Sequence, residues 1–192
     1  MKGITKMSEN SHTSIPVRVH TRQHIANVTM ALLERKTLDE ISVKKIIEAS
    51  HCSRATFYRY FKDKHDVVTW IYTSEVDRIV SKHHYTSEIT LQIFRFMYER
   101  RKFFTRAFSY EQQNSLVDYM VSRSLEDCVG LLKKALNTNE LSRDMMASVD
   151  FFVGGCLRIW HRWIADGMKD TPEFILRVIM DSMPESLRPY IK

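Results

Sequence analysis

The sequence predicts an all-α fold: an N-terminal three-helix helix-turn-helix unit joined to a helical bundle, about nine helices in all. Three observations predict it. Only 5 Gly and 4 Pro interrupt 192 residues rich in strong helix formers. Apolar residues recur at helical rather than strand spacing along most of the chain. Finally, residues 42–64, SVKKIIEASHCSRATFYRYFKDK, read as two short helices joined by a three-residue turn, the second rich in hydrogen-bonding side chains.

The elements follow in order. Residues 1–19 are polar, with Ser8, Asn10, Ser11, Thr13 and Ser14 close together, and read as a flexible tail. Lys2, Lys6 and Arg18 within it could serve as a basic arm. A first helix is expected from about Thr21 to Lys36, with Ile25, Val28, Leu32 and Leu33 on one face. Ser42 caps the second helix, where Ile46, Ile47 and Ala49 point inward. After the turn Ser50-His51-Cys52, Ser53 caps the third. Phe57 and Phe61, four residues apart, belong to the core, which leaves Arg54, Ala55, Thr56, Tyr58, Arg59 and Tyr60 mostly outward. Cys52 reads as a plug beneath that turn.

Asp63 caps a fourth helix running from Lys64 to about His84. Further helices are expected over 88–100, 102–108, 115–136, 143–166 and 173–183. The breaks between them carry suitable chemistry. Asn137-Thr138-Asn139 is a polar turn, Ser142 a cap, Gly167 a left-handed helix end and Pro172 a first helical position. The division expected is 1–19 tail, 20–66 helix-turn-helix unit, and 67–192 regulatory and dimerisation region.

Charge is distributed unevenly. Residues 1–64 hold 12 Lys and Arg against 6 Asp and Glu, whereas residues 65–192 hold 17 of each. The whole formal charge of +6 thus sits in the first third. A basic segment beside a neutral one is the footprint of nucleic-acid binding with another module attached.

The stretch SRATFYRYFKDK, residues 53–64, with Ile46-Ile47-Glu48-Ala49 ahead of it, resembles the tetracycline-repressor (TetR) family, with one departure: His51 stands at the turn position where that family often has Gly, so the resemblance implies a positive φ there, which histidine tolerates better than most residues. The segment from Phe152 to Ile175, with GGCLRIWHRWIADGMKDTPEFI, is similar to a smaller subgroup that includes regulators of dihydroxyacetone kinase genes. The family resemblance implies a ligand-responsive homodimeric repressor acting on a double-stranded DNA operator in the cytoplasm. The alternative is a coactivator of the same fold that works through a protein partner.

Site expectations follow. Arg54 opens the recognition helix, where a guanidinium can bond two guanine acceptors, and Thr56 offers a hydroxyl and a methyl to phosphate or thymine. Tyr58 and Tyr60 present phenols to phosphate, and the resemblance adds Lys64 as a phosphate contact. Ser42 and Lys44 open the second helix, and Ser53, Ala55 and Arg59 complete the surface facing DNA. Met145, Val149, Phe152, Val153, Cys156, Ile159, Trp160 and Trp163 form an apolar stripe that is read, with the last helix from Glu173 to Met183, as a dimer interface, Gly154 and Gly155 allowing close approach. Phe94, Met97, Tyr98, Phe104 and Met120 are the candidate lining of an effector pocket, which the family resemblance implies. Tyr110 belongs to the same aromatic group.

Enzyme classes find no support. The chain has no P-loop, no dinucleotide glycine fingerprint, no Gly-x-Ser-x-Gly and no His-Glu-x-x-His. His83 and His84 are adjacent and cannot share a helix face. No cofactor and no metal is expected. Three cysteines at wide spacing suit reduced thiols, and no apolar run approaches the roughly 18 residues of a membrane span.

Overall fold

A computed structural model of the chain describes residues 14–80, 86–108 and 114–191, with the backbone alone for 14–19 and 114–118. Among the described residues there are nine helices and no strand. They are α1 (Ser14–Leu33), α2 (Val43–Ala49), α3 (Arg54–Tyr60), α4 (Lys64–Val80), α5 (Ser87–Glu99), α6 (Arg101–Ala107), α7 (Asn114–Leu136), α8 (Arg143–Ala165) and α9 (Pro172–Asp181).

The largest departure is at the start. The helix begins at Ser14, not Thr21, so residues 14–19 are not tail. Pro16 does not prevent this, because first-turn N–H groups have no intrahelical acceptor to lose. The backbone arm of Lys2 and Lys6, the pair His83-His84 and Tyr110 lie outside the described residues, as does the side chain of Arg18.

Serine caps act as their spacing requires. The side chains of Ser42, Ser53 and Ser142 each accept a hydrogen bond from the backbone N–H three residues on. Asp63 Oδ1 accepts from the N–H groups of His65 and Asp66, which opens α4. In α1 the buried face is Ile25, Ala26, Thr29 and Leu33, flanked by half-buried Val28 and Leu32. Thr29 is tolerated there because its hydroxyl donates to the carbonyl of Ile25 at 2.9 Å.

Helices α1, α2 and α3 form the first layer, and α1 packs on both α4 and α6. Helix α4 then packs on α5 and α7, α7 on α8, and α5 and α8 on α9. One apolar cluster runs without interruption from Ile25 in α1 to Ile179 in α9. A second gathers Leu132, Val149, Val153, Met183 and Leu187 at the far end. Phe57 and Phe61 are fully buried in the larger cluster. The Arg22 guanidinium lies 4.8 Å from the Trp70 ring centre and 5.3 Å from that of Phe61, tying α1 to α4 beneath the recognition helix.

Replacing Phe57 by Ala removes the only fully buried side chain of α3 and should cost about 3–5 kcal/mol of stability. Ser53→Ala, which removes only a cap, should cost about 1 kcal/mol. Urea denaturation followed by circular dichroism measures both.

Candidate nucleic-acid interface

Helix α3 has seven residues, too short to be stable alone, so its direction is set by what lies beneath it. Phe57 and Phe61 anchor it, and Tyr58 packs edge-on against Phe57 with ring centres 5.4 Å apart. Opposite that anchor, Arg54, Ala55, Tyr58 and Arg59 are exposed, Tyr58 by 48%. The Arg54 guanidinium lies 5.6 Å from the Tyr58 ring centre, so the two side chains stand together at the outer surface. Thr56 is half-buried and its hydroxyl is 2.8 Å from that of Ser53, within the cap. Tyr60 is half-buried against the core and turns away from the outward set expected of it. In a two-turn helix seated on residues 57 and 61, position 60 falls beside the buried face.

The turn takes the conformation its sequence demands. His51 has φ +51°, and the His24 Nε2 lies 3.1 Å from the carbonyl of Ser50. Cys52 is half-buried beneath it, with its sulfur accepting from the Ser50 hydroxyl at 3.1 Å. In α2, Ser42, Lys44 and Lys45 are exposed. Lys44 meets Glu48 at 3.9 Å, but with both side chains largely in solvent that pair is weak and leaves Lys44 able to reach another anion.

Lys64 is placed differently from its expected role. It is half-buried, and its Nζ donates to the carbonyl of Leu38 at 2.7 Å. That bond spans 26 positions and clamps the α1–α2 loop to the start of α4. From the other side, the carbonyl of Arg106 in α6 accepts from the N–H of Leu38 at 3.3 Å, and Arg106 Nη1 donates to the carbonyl of Leu33 at 3.2 Å. Glu40 closes the same loop by accepting from the N–H and hydroxyl of Thr37, which hold its carboxyl below the usual range.

The expected effector lining is mostly core. Met97, Phe104 and Met120 are buried in the main cluster, and Tyr98 stacks on Trp163 with rings 4° from parallel. Of that set Phe94 borders a cavity of about 90 Å³ that lies between α5, α7, α8, α9 and the C-terminal segment. Phe152, Cys156 and Trp160, expected at a dimer interface, border this same cavity. Val149, Trp160 and Trp163 are buried within the single chain, and the Trp163 indole donates to the carbonyl of Asp170 at 2.9 Å. The apolar stripe of α8 therefore faces inward. Helix α8 is apolar on more than one side, and its outer side carries Phe151, exposed by 74%, with Gly154, Gly155 and half-buried Ile159. Beside it on α9 are Phe174, exposed by 41%, and Val178. The signal for this face was present in the sequence as an aromatic followed three and four residues on by glycines.

Burial pushes the Cys128 thiol up to about 11 and the Cys156 thiol up to about 12, the latter raised further by Cys128 nearby. Both groups should therefore stay protonated through pH 9, and maleimide should label them far more slowly in the folded protein than in urea, as mass spectrometry would record. Lys64→Met should lower stability by roughly 1 kcal/mol, because the carbonyl of Leu38 loses its donor, and denaturant titration would register it.

Comparison with known proteins bears on this surface directly. Residues 25–69 match the model for bacterial regulatory proteins of the tetR family, and residues 84–185 match that for a transcriptional regulator C-terminal region of the same family. No curated protein matches the chain. Among solved structures, the dihydroxyacetone kinase operon activator DhaS is similar at a TM-score of 0.66 and 16% identity, covering 91% of this chain and 99% of that one. A TetR transcriptional regulator from Streptococcus agalactiae 2603V gives 0.61 at 14% identity over 92% and 97% of the two chains. A TetR-family regulator from Syntrophomonas wolfei str. Goettingen gives 0.55 at 18% identity over 88% and 96%. At such identities the structures speak for the shared fold, and the matched models, which between them span most of the chain, for the family. Fold, charge distribution and sequence pattern agree: the chain belongs to the tetR family of bacterial transcriptional regulators, built to bind DNA.

Proposed function

We propose that this protein is a ligand-responsive homodimeric repressor that reads a DNA operator with α3. The observation that carries the reading is the outward face of that helix. Arg54, Tyr58 and Arg59 stand exposed on a helix whose opposite side is locked into the core by Phe57 and Phe61. A side chain that must find a base edge needs such a fixed platform. Arg54 is assigned the base contact, and Lys44, Lys45, Tyr58 and Arg59 the phosphates. Ser42, Ser53 and Thr56 shape the two helix starts from which these side chains project. Lys64, engaged with Leu38, supports α3 from behind, with further N–H groups able to meet a phosphate.

Two-fold pairing would supply the second recognition helix. The outer face of α8 and α9, with Phe151, Gly154, Gly155, Ile159, Phe174 and Val178, is the surface proposed to pair. A Cβ added at either glycine would meet nothing in its own chain, so another helix has room to approach closely there. A dimer seated across a promoter would exclude polymerase, which favours repression over activation. Its place of work is the cytoplasm, where the DNA lies; among the described residues no helix is long and apolar enough to cross a membrane.

Gel shifts with fragments flanking the protein's own gene test the reading. Binding should prefer one fragment and weaken steeply as salt rises. Failure to distinguish any fragment from scrambled duplex would overturn it. Arg54→Ala should alter the preferred sequence, at a cost of about 1–3 kcal/mol confined to one position, whereas Arg59→Ala should weaken all duplexes alike and reduce the salt slope by about one. Phe151→Asp should yield a folded monomer in sedimentation and lose operator affinity. A charged variant that stayed a tight dimer would move the interface elsewhere.

A further inference from the structure

The cavity between α5, α7, α8 and α9 has a composition that selects its occupant. Its walls are Phe94, Phe152, Leu157, Trp160, Ile179 and Met180, with the Trp160 side chain 9% exposed. Its polar lining is Thr86, Ser87, Thr90, Ser124 and Asp127. Among the described residues no Lys, Arg or His borders it. Asp127 accepts from the Nε of Arg123 at 3.0 Å, and the same guanidinium reaches Asp77 of α4 at 3.8 Å. The carboxylate is thus charge-compensated from behind, while it retains capacity to accept a further donor.

From this arrangement we infer that the cavity is a binding site for a compact, uncharged, largely apolar molecule bearing a hydroxyl, whose O–H donates to Asp127. The inference rests on the reading of the chain as ligand-responsive and names the class of ligand. An anion would face a carboxylate with no cation lining the wall, in surroundings too apolar to solvate it. An amine would meet a carboxylate already matched by Arg123. An alcohol satisfies the polar lining at no cost in charge. Size limits it further. The volume of about 90 Å³ is below the ~150 Å³ of an engineered cavity that holds benzene, so only a short alcohol fits, and a chain as long as four carbons needs the wall to give. Met180 and Met183 in the wall can adjust around it.

The test sets 1-butanol against butyrate and butylamine on the full-length protein. Butanol at millimolar concentrations should raise the melting temperature saturably, since a ligand that binds only the folded state stabilises it. The other two should not. Cys156→Phe, which fills the cavity, should abolish the shift. Should that variant fail to fold, nuclear Overhauser contacts between the butanol methyl and the Trp160 indole in the wild-type protein decide the same point. An equal shift with butyrate or butylamine, or neither a saturable shift nor a contact with butanol, overturns the proposal. Gel shifts without additive test the DNA-binding reading separately. Butanol binding that leaves operator affinity unchanged would support the site while overturning ligand responsiveness.

Discussion

The rest of the molecule depends on how Leu38 is held. Its side chain is buried, its carbonyl accepts from Lys64 of α4, and its N–H donates to the carbonyl of Arg106 in α6. Two helices that are far apart in sequence thus converge on one loop residue. The loop leads directly into α2 and so fixes where α2 and α3 sit. The cost of leaving either backbone group of a buried residue unpaired is what makes such a junction firm. Arg22, stacked over Phe61 and Trp70, adds a second tie between α1 and α4. A short recognition helix can hold a fixed attitude only because this support lies behind it.

The same junction connects the two halves of the chain. The main core runs from α1 to α9 without a gap, so the DNA-reading unit shares its interior with the regulatory region. Helix α4 starts at Lys64, below the recognition helix, and near its end carries Asp77, which meets Arg123 of α7. Arg123 in turn holds Asp127 at the cavity wall. An occupant of the cavity and a duplex beneath α3 would therefore act on opposite ends of one helix. An effector would influence DNA binding only through a difference in its affinity for two arrangements of α4.

What was legible in the sequence was local chemistry. Ser42, Ser53 and Ser142 cap because a hydroxyl three residues before a free N–H has one use. Phe57 and Phe61 are core because their spacing puts them on one face. Gly167 takes positive φ where the break requires it, and His51 does so at the turn position where the family often has Gly. What was not legible was non-local. The Arg106–Leu33 bond joins residues 73 positions apart, and no periodicity reports it. Met168 also has φ +53°, a strain its near-complete burial offsets, and nothing in its residue type announces that. For α8, periodicity found an apolar face but could not tell a face that meets its own chain from one left for a partner. The expected stripe joins Val149, Trp160 and Trp163, which are buried in their own chain, with Ile159, which lies half-buried on the outer side. Of the expected effector lining, Phe94 borders a cavity while Met97, Phe104 and Met120 fill the core, because both kinds of position have the same sequence pattern.

Two copies of α3, held in fixed relation, are proposed to read DNA sequence. Selection of bound duplexes from a random pool, followed by footprinting of the enriched ones, tests it most directly. The enriched sequence should be an inverted repeat whose half-sites are centred about 34–36 Å apart or a multiple of that, so that both recognition helices enter major grooves on one face of the duplex. Enrichment of a single asymmetric site, or of no sequence at all, would contradict it.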